Sequence, residues 1–222
     1  VNPDLPESPG LHDRELTLAS GGRVRCTIAL PPGLTLAAPL ILCLHYGGEP
    51  RGYYGRPLLE HLLLPAWRGL GAVMVAPVST GGDWTAPDNT RNALELARLV
   101  EDAYACAADR RILTGYSLGA IGTWHLLSRA PAHFAAAVPV AGPAPSLQPG
   151  PTPVRALNST ADHLFPAAAT VAALERLRER GVDAACELVA GVEHHAFGGF
   201  TAALAALLPW LRERTGLPAT PR

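Results

Sequence analysis

The chain has 222 residues, 48% of them hydrophobic and 17% charged, with a formal net charge of −1. That length and balance fit a single α/β domain with a full core and exclude an intrinsically disordered chain. Charges are interspersed, leaving no nucleic-acid footprint and no polybasic membrane patch; all 18 basic residues are arginine, which excludes Schiff-base and P-loop lysine chemistry.

One domain spanning 1–222 is expected, with loosely ordered ends at 1–9 and 217–222. Residues 16–18 and 24–30, joined by Ser20-Gly21-Gly22-Arg23, read as an antiparallel hairpin at a sheet edge. The apolar run 40–44 reads as a buried strand, followed by a helix near 57–68 and a second buried strand at 72–77. Residues 89–107 place Leu94, Leu96, Ala97, Leu99, Val100 and Ala103 at helical spacing. A strand at 111–114 leads into a helix over 118–130. Strands at 135–140, 154–159 and 184–189 follow, with helices over 167–180 and 196–214. Eight strands alternating with helices imply a mostly parallel sheet covered by helices on both faces.

Between strand 111–114 and the helix after it stands Gly115-Tyr116-Ser117-Leu118-Gly119. A serine on so tight a strand-to-helix turn needs strained backbone angles, which small neighbours tolerate. The turn holds the hydroxyl of Ser117 at the carboxyl edge of the sheet. It also leaves the Leu118 amide, at a helix N-terminus, free to donate to an oxyanion. In this nucleophile-elbow arrangement an acid and then a histidine follow the serine along the chain. Beyond Ser117 the aspartates are Asp162 and Asp183. Asp183 lies in a helix-to-strand turn, the ordinary place of a solvated acid. Asp162 lies in the loop after strand 154–159, where a parallel sheet presents its functional groups; its alternative role is the N-cap of the helix starting near Pro166. After Asp162 come His163, His194 and His195. His163 adjoins the acid and is poorly placed to turn back to it. His194, three residues past Gly191, has the Gly-x-x-His spacing usual at this position, with His195 as the alternative base.

His45-Tyr46-Gly47-Gly48 follows strand 40–44 and offers a second backbone N–H for an oxyanion. Tyr46 stands where a glycine is usual, so the donor is either Tyr46 or Gly47, and the Tyr46 ring or hydroxyl gains a route to the cleft. His45 reads as a structural hydrogen-bonding residue. Cys26, Cys43 and Cys186 lie in strand-like runs and Cys106 in a helical one; a disulfide between two of them stays open. Neither Cys-x-x-Cys nor a Cys/His ligand spacing occurs, so no metal is expected. No hydrophobic stretch reaches transmembrane length without breakers, and no secretory leader is read. The expected compartment is the cytoplasm, with secretion left open because the chain begins at Val1 rather than Met.

The block from Asp109 to Trp124 (DRRILTGYSLGAIGTW) and its continuation from Pro131 to Gly142 (PAHFAAAVPVAG) resemble α/β-hydrolase superfamily serine esterases. Within that superfamily they are most similar to the small esterase and predicted-peptidase group with polyhydroxybutyrate-depolymerase-like and feruloyl-esterase-like members. With the loops of His45, Asp162 and His194, the resemblance covers roughly residues 39–200. It implies acyl transfer by Ser117, His194 and Asp162, with oxyanion donors at Leu118 and at Tyr46 or Gly47. It implies no cofactor, and as partner a small-molecule carboxylic ester of small or aryl type. The same triad would serve an amidase or peptidase. A reading of another class is a catalytically idle scaffold acting as a binding module. A cap domain commonly follows the strand after the elbow helix, and the Pro/Gly-rich connection 142–153 is too short for one, so an open cleft is expected. Tyr53, Tyr54 and Trp84, in Gly-rich loops, are the expected walls for substrate, with loop anchoring as the alternative for Trp84 and the core for Trp124.

Overall fold

In the computed structural model, which describes residues 4–144 and 150–218, eight segments extend into strands. They are β1 (Gly10–Thr17), β2 (Arg23–Leu30), β3 (Leu40–Leu44), β4 (Val73–Pro77), β5 (Ile112–Tyr116), β6 (Ala136–Val140), β7 (Val154–Ser159) and β8 (Ala184–Val189). They form one sheet in the order β1-β2-β4-β3-β5-β6-β7-β8. β2 is antiparallel to both β1 and β4, and every pairing from β4 onward to β8 is parallel.

The short central strands are buried along their whole length, and strand alternation divides their side chains between two cores. Leu40, Leu42, Leu44, Val73, Val75 and Leu113 pack on one face. That face is covered by α3 (Pro87–Tyr104), α4 (Leu118–Arg129) and α5 (Ala167–Glu179), which contribute Leu96, Trp124 and Leu174. Ile41, Cys43, Met74, Ile112 and Tyr116 pack on the other. There α1 (Arg56–Leu58), α2 (Leu64–Trp67), α6 (Thr201–Ala206) and α7 (Leu208–Arg214) close the layer through Leu58, Trp67, Leu204 and Leu211. The expected sheet with helices on both faces is therefore present.

The departures have local causes. β1 is far longer than the segment 16–18 suggests, because its polar residues pair in register with all of β2 and need no core of their own. Asp13 of β1 receives the Thr27 hydroxyl at 2.7 Å and pairs with Arg56 at 3.1 Å. The helix expected at 57–68 is divided by a π turn, Leu59–Leu63, whose wide spacing brings the Leu64 N–H to the Leu59 carbonyl. Pro65 follows and has no N–H for the usual bond. The helix expected at 196–214 is likewise broken into α6 and α7 ahead of Pro209, after a 3-10 turn at Phe197–Phe200. α3 stops at Tyr104 because Ala105 turns left-handed at φ 50°. Of the ends expected to be loose, 1–3 and 219–222 lie outside the described residues, while Leu5 is buried and the Pro6 carbonyl accepts the Tyr104 hydroxyl at 2.7 Å, so these two residues are tied down. Asp183 is no solvated turn acid: it pairs with Arg155 at 2.7 Å and accepts the Trp210 indole N–H at 3.2 Å. All four cysteines are free. Among the described residues no helix is long and apolar enough to cross a membrane.

Candidate active site

Ser117 sits between β5 and α4 at φ 56°, ψ −115°, a backbone conformation that side-chain-bearing residues rarely adopt. It is held there by its own N–H, which donates to the Val140 carbonyl at 2.9 Å, and by its carbonyl, which accepts from Ala120 at 2.9 Å. Such a turn leaves no room for side chains on either flank. A Cβ on Gly115 would collide with the Gly119 carbonyl, and one on Gly119 would collide with the Leu44 carbonyl at the end of β3. Both glycines are therefore required by close backbone approach. Leu118 is the first residue of α4, where an amide has no acceptor within the helix and the dipole favours negative charge.

The ends of β7 and β8 bring the other two expected residues to the serine. His194 Nε2 lies 2.8 Å from Ser117 Oγ, and His194 Nδ1 lies 2.7 Å from Asp162 Oδ2. All three side chains are buried. With the Nδ1 proton donated to the carboxylate, Nε2 is left as the acceptor that faces the hydroxyl. The second carboxylate oxygen of Asp162 accepts the N–H groups of Leu164 and Phe165, each at 2.9 Å. A capping contact and the contact with His194 thus coexist on Asp162, one on each oxygen. The capped element is the loop itself, since α5 begins at Ala167 behind Pro166. Two hydroxyls at the end of β7 fasten this loop to the histidine loop: Ser159 accepts the Val192 N–H at 3.1 Å and Thr160 the Gly191 N–H at 3.3 Å. His195 meets neither partner of His194. Its ring stands edge-on at 5.3 Å and lines the cleft.

Beyond β3, His45 is fully buried and fixed at both nitrogens. Nε2 accepts the Ser79 N–H at 3.1 Å, so Nδ1 carries the proton and donates to the Tyr46 carbonyl at 2.7 Å. Burial lowers its pKa from 6.5 to about 4, the bond to Tyr46 opposing. The Tyr46–Gly47 peptide is trans, so its N–H points opposite to the carbonyl held by His45. The Gly47 amide is thereby turned away from the buried ring. The Gly47 carbonyl accepts the Tyr54 hydroxyl at 3.1 Å.

A cavity of about 370 Å³ opens over Ser117. Tyr46, Gly47, Leu118, Leu164, Phe165, His195 and Phe197 line it, the rings of Tyr46 and Phe197 stacking at 5.9 Å. None of the three expected substrate walls is among them. Trp84 is buried, donates its indole N–H to the His45 carbonyl at 2.8 Å, and packs where Gly122 leaves space on α4. Tyr54 braces the loop beneath the cleft, its ring against His45 and Tyr46. Tyr53 turns its carbonyl to the Arg56 N–H at 2.9 Å, at the start of α1. Trp84 and Tyr54 thus support the His45 loop and do not contact the space above Ser117. The cavity is lined instead by Tyr46, Gly47 and Leu118 together with residues of the Asp162 and His194 loops. Leu164-Phe165, a pair of large apolar residues in the Asp162 loop, and Phe197, just beyond the two histidines, were the available signals.

No family model matches the chain, and no curated protein does either. Solved structures do match. An α/β serine hydrolase without lid from Xanthomonas campestris is 19% identical with a TM-score of 0.73, covering 99% of this chain and 100% of its own. A thermostable esterase is 19% identical with a TM-score of 0.73 over 91% of this chain, which spans 62% of that esterase's length. One of two fungal esterases from Rhizomucor miehei is 16% identical with a TM-score of 0.71, covering 95% of this chain and 86% of its own. With the sheet order and the strand-to-helix serine turn, these likenesses establish that this chain has the α/β-hydrolase fold.

Proposed function

We propose that the protein is a serine hydrolase that cleaves small carboxylic esters through an acyl-enzyme. The observation that carries this is the continuous chain of contacts from Ser117 Oγ through His194 to Asp162, at 2.8 and 2.7 Å, beneath an accessible cleft. Ser117 Oγ attacks the ester carbonyl while His194 Nε2 takes its proton. The tetrahedral oxyanion is held by the Leu118 amide and by the Gly47 amide, which the His45–Tyr46 bond turns away from the interior. Between the two donors weighed at the oxyanion loop, this geometry favours Gly47 over Tyr46. The oxyanion collapses, the C–O bond to the alcohol breaks, and His194 returns the proton to the leaving oxygen. Water then attacks the acyl-enzyme with the same base, releasing the acid and restoring the serine. Asp162 fixes the imidazole tautomer and stabilises the cation that forms between the two transfers. The likeness to structures described as esterases supports the choice of ester.

Two measurements test this. A fluorophosphonate should label Ser117 and no other residue, and Ser117→Ala should lower turnover of a short p-nitrophenyl ester by roughly 10³-fold or more. A folded Ser117→Ala protein with near wild-type turnover would rule the mechanism out. Aminoacyl anilides assayed beside the esters read the leaving-group preference, and faster anilide cleavage would move the protein to the amidase class with the same triad.

A further inference from the structure

We propose that Tyr116 is a positioning residue for the catalytic base, its hydroxyl holding the main chain of His194 so that the imidazole meets the adjacent Ser117. The inference rests on the reading of Ser117, His194 and Asp162 given above. β5 alternates its side chains, so Tyr116 points to the face opposite α4, beneath the histidine loop. There its ring stands between Phe197 and Phe200, with centroids 5.9 and 5.8 Å away, and its hydroxyl donates to the His194 carbonyl. The next residue along the chain, Ser117, reaches the side chain of the same histidine at 2.8 Å. Two consecutive residues at one strand end therefore grip His194, one by its main chain and one by its ring.

The other bonds on this loop fix a different distance. Ser159 and Thr160 hold Val192 and Gly191, which sets the loop against the end of β7 and hence against Asp162. They place no restraint between the loop and the elbow. Tyr116 supplies that restraint, and it belongs to β5, whose every residue is buried. Burial, reinforced by the Asp162 charge, pushes the phenol well above its ordinary pKa of 10.0, so it stays a donor through the working pH range. Without the bond the His194 carbonyl loses its anchor to the nucleophile strand, and misplacement by about 1 Å in an active site costs up to roughly 100-fold in rate.

Tyr116→Phe keeps the ring and deletes the donor. With a short p-nitrophenyl ester, its kcat should fall roughly tenfold or more while KM stays within about twofold, and fluorophosphonate labelling of Ser117 should slow by the same factor. Thr114→Val is the control, because Thr114 lies in the same strand and donates to the Val138 carbonyl at 2.7 Å without touching His194. It should lose stability yet keep kcat within about twofold of wild type, with both proteins assayed where circular dichroism shows them folded. The downfield proton resonance of His194 Nδ1 should exchange faster with water in Tyr116→Phe and be unchanged in Thr114→Val. Wild-type kcat and labelling in Tyr116→Phe, or an equal loss in Thr114→Val, would overturn the proposal. If Tyr116→Phe does not fold, 3-fluorotyrosine at position 116 keeps the bond and alters its strength; the Nδ1 resonance should then move, and an unmoved one overturns the proposal. An inactive Ser117→Ala beside a fully active Tyr116→Phe overturns this inference alone, whereas an active Ser117→Ala overturns the function it rests on.

Discussion

His194 and His195 are chain neighbours with ring centroids 5.3 Å apart, but the hydrogen bonds to Ser117 and Asp162 both belong to His194. His194→Ala should therefore match Ser117→Ala, a loss of roughly 10³-fold in kcat, because members of one catalytic unit fail together. His195→Ala should keep kcat within a few-fold and change chiefly KM, as expected of a side chain that only lines the cleft; the reversed pattern in steady-state assays would reassign the base. His45 is a histidine of another kind. Its neutral form is the one that fits, since Nε2 must accept from Ser79, and burial brings its pKa from 6.5 to about 4. A base with a depressed native pKa binds fewer protons folded than unfolded. The stability it contributes is complete above pH 6.5 and is lost as pH falls toward 4, by about 3 kcal/mol over that window. Thermal midpoints measured from pH 7 to 4 should fall accordingly. His45→Asn should be less stable at pH 7 and show a flatter decline, while an equally steep decline would place the acid sensitivity elsewhere.

At the level of elements, the strands were legible and the helices only partly so. β3, β4 and β6 announce themselves as short apolar runs between Gly, Pro and polar turns, and a strand buried on both faces leaves no other composition available; β7 and β8 carry Arg155, Asn158 and Glu187 among their apolar residues and give a weaker signal. The meeting of Ser117, His194 and Asp162 was legible for a related reason, because the loops after strands are where polar residues can reach one another, and few candidates followed Ser117. What the sequence hid is set by contacts between distant segments. Nothing near Tyr116 in the chain says that its hydroxyl meets a carbonyl 78 residues on. Nor does Trp84 disclose that it braces His45 from beneath. The π turn before Pro65 was likewise masked by a good helical pattern. Gly119 belongs to the legible part but acquires a sharper reason. It brings the first turn of α4 onto the carbonyls of Leu44 and His45, so an added methyl must push β3 and the elbow apart. Gly119→Ala should cost about 1–3 kcal/mol in denaturant unfolding and lower kcat by more than that loss explains. A variant with unchanged unfolding midpoint and rate would show that the helix can slide.

The whole molecule presents its chemistry at one edge of the sheet, where the loops following β3, β5, β7 and β8 converge on a cavity of about 370 Å³. The connection expected to be too short for a cap runs from β6 to β7, and its middle, 145–149, lies outside the described residues. Its flanks are packed against the body: the Ala144 N–H donates to the Thr170 hydroxyl at 3.1 Å, and the Thr152 hydroxyl to the Pro131 carbonyl at 2.7 Å. The mouth of the cavity is apolar instead of polar, with Leu118 and Leu164 exposed by 37% and 58% of their surface. On the proposed ester-hydrolase reading, these side chains suit an uncharged acyl or aryl group near the scissile bond. The volume lies near the low end of ligand pockets, roughly 300–1,000 Å³, so a long chain would project past Leu164 into water and forgo the ~0.8 kcal/mol that each enclosed methylene supplies. Across p-nitrophenyl esters, kcat/KM should therefore peak at acetyl to butyryl and decline toward about a dozen carbons. Leu164→Ser should depress the butyryl rate more than the acetyl rate, because the longer chain reaches the lip. A kcat/KM that climbs steadily with chain length, or that jumps once substrate passes its solubility limit, would mean that a covering element encloses the cleft and that the open-mouthed reading is wrong.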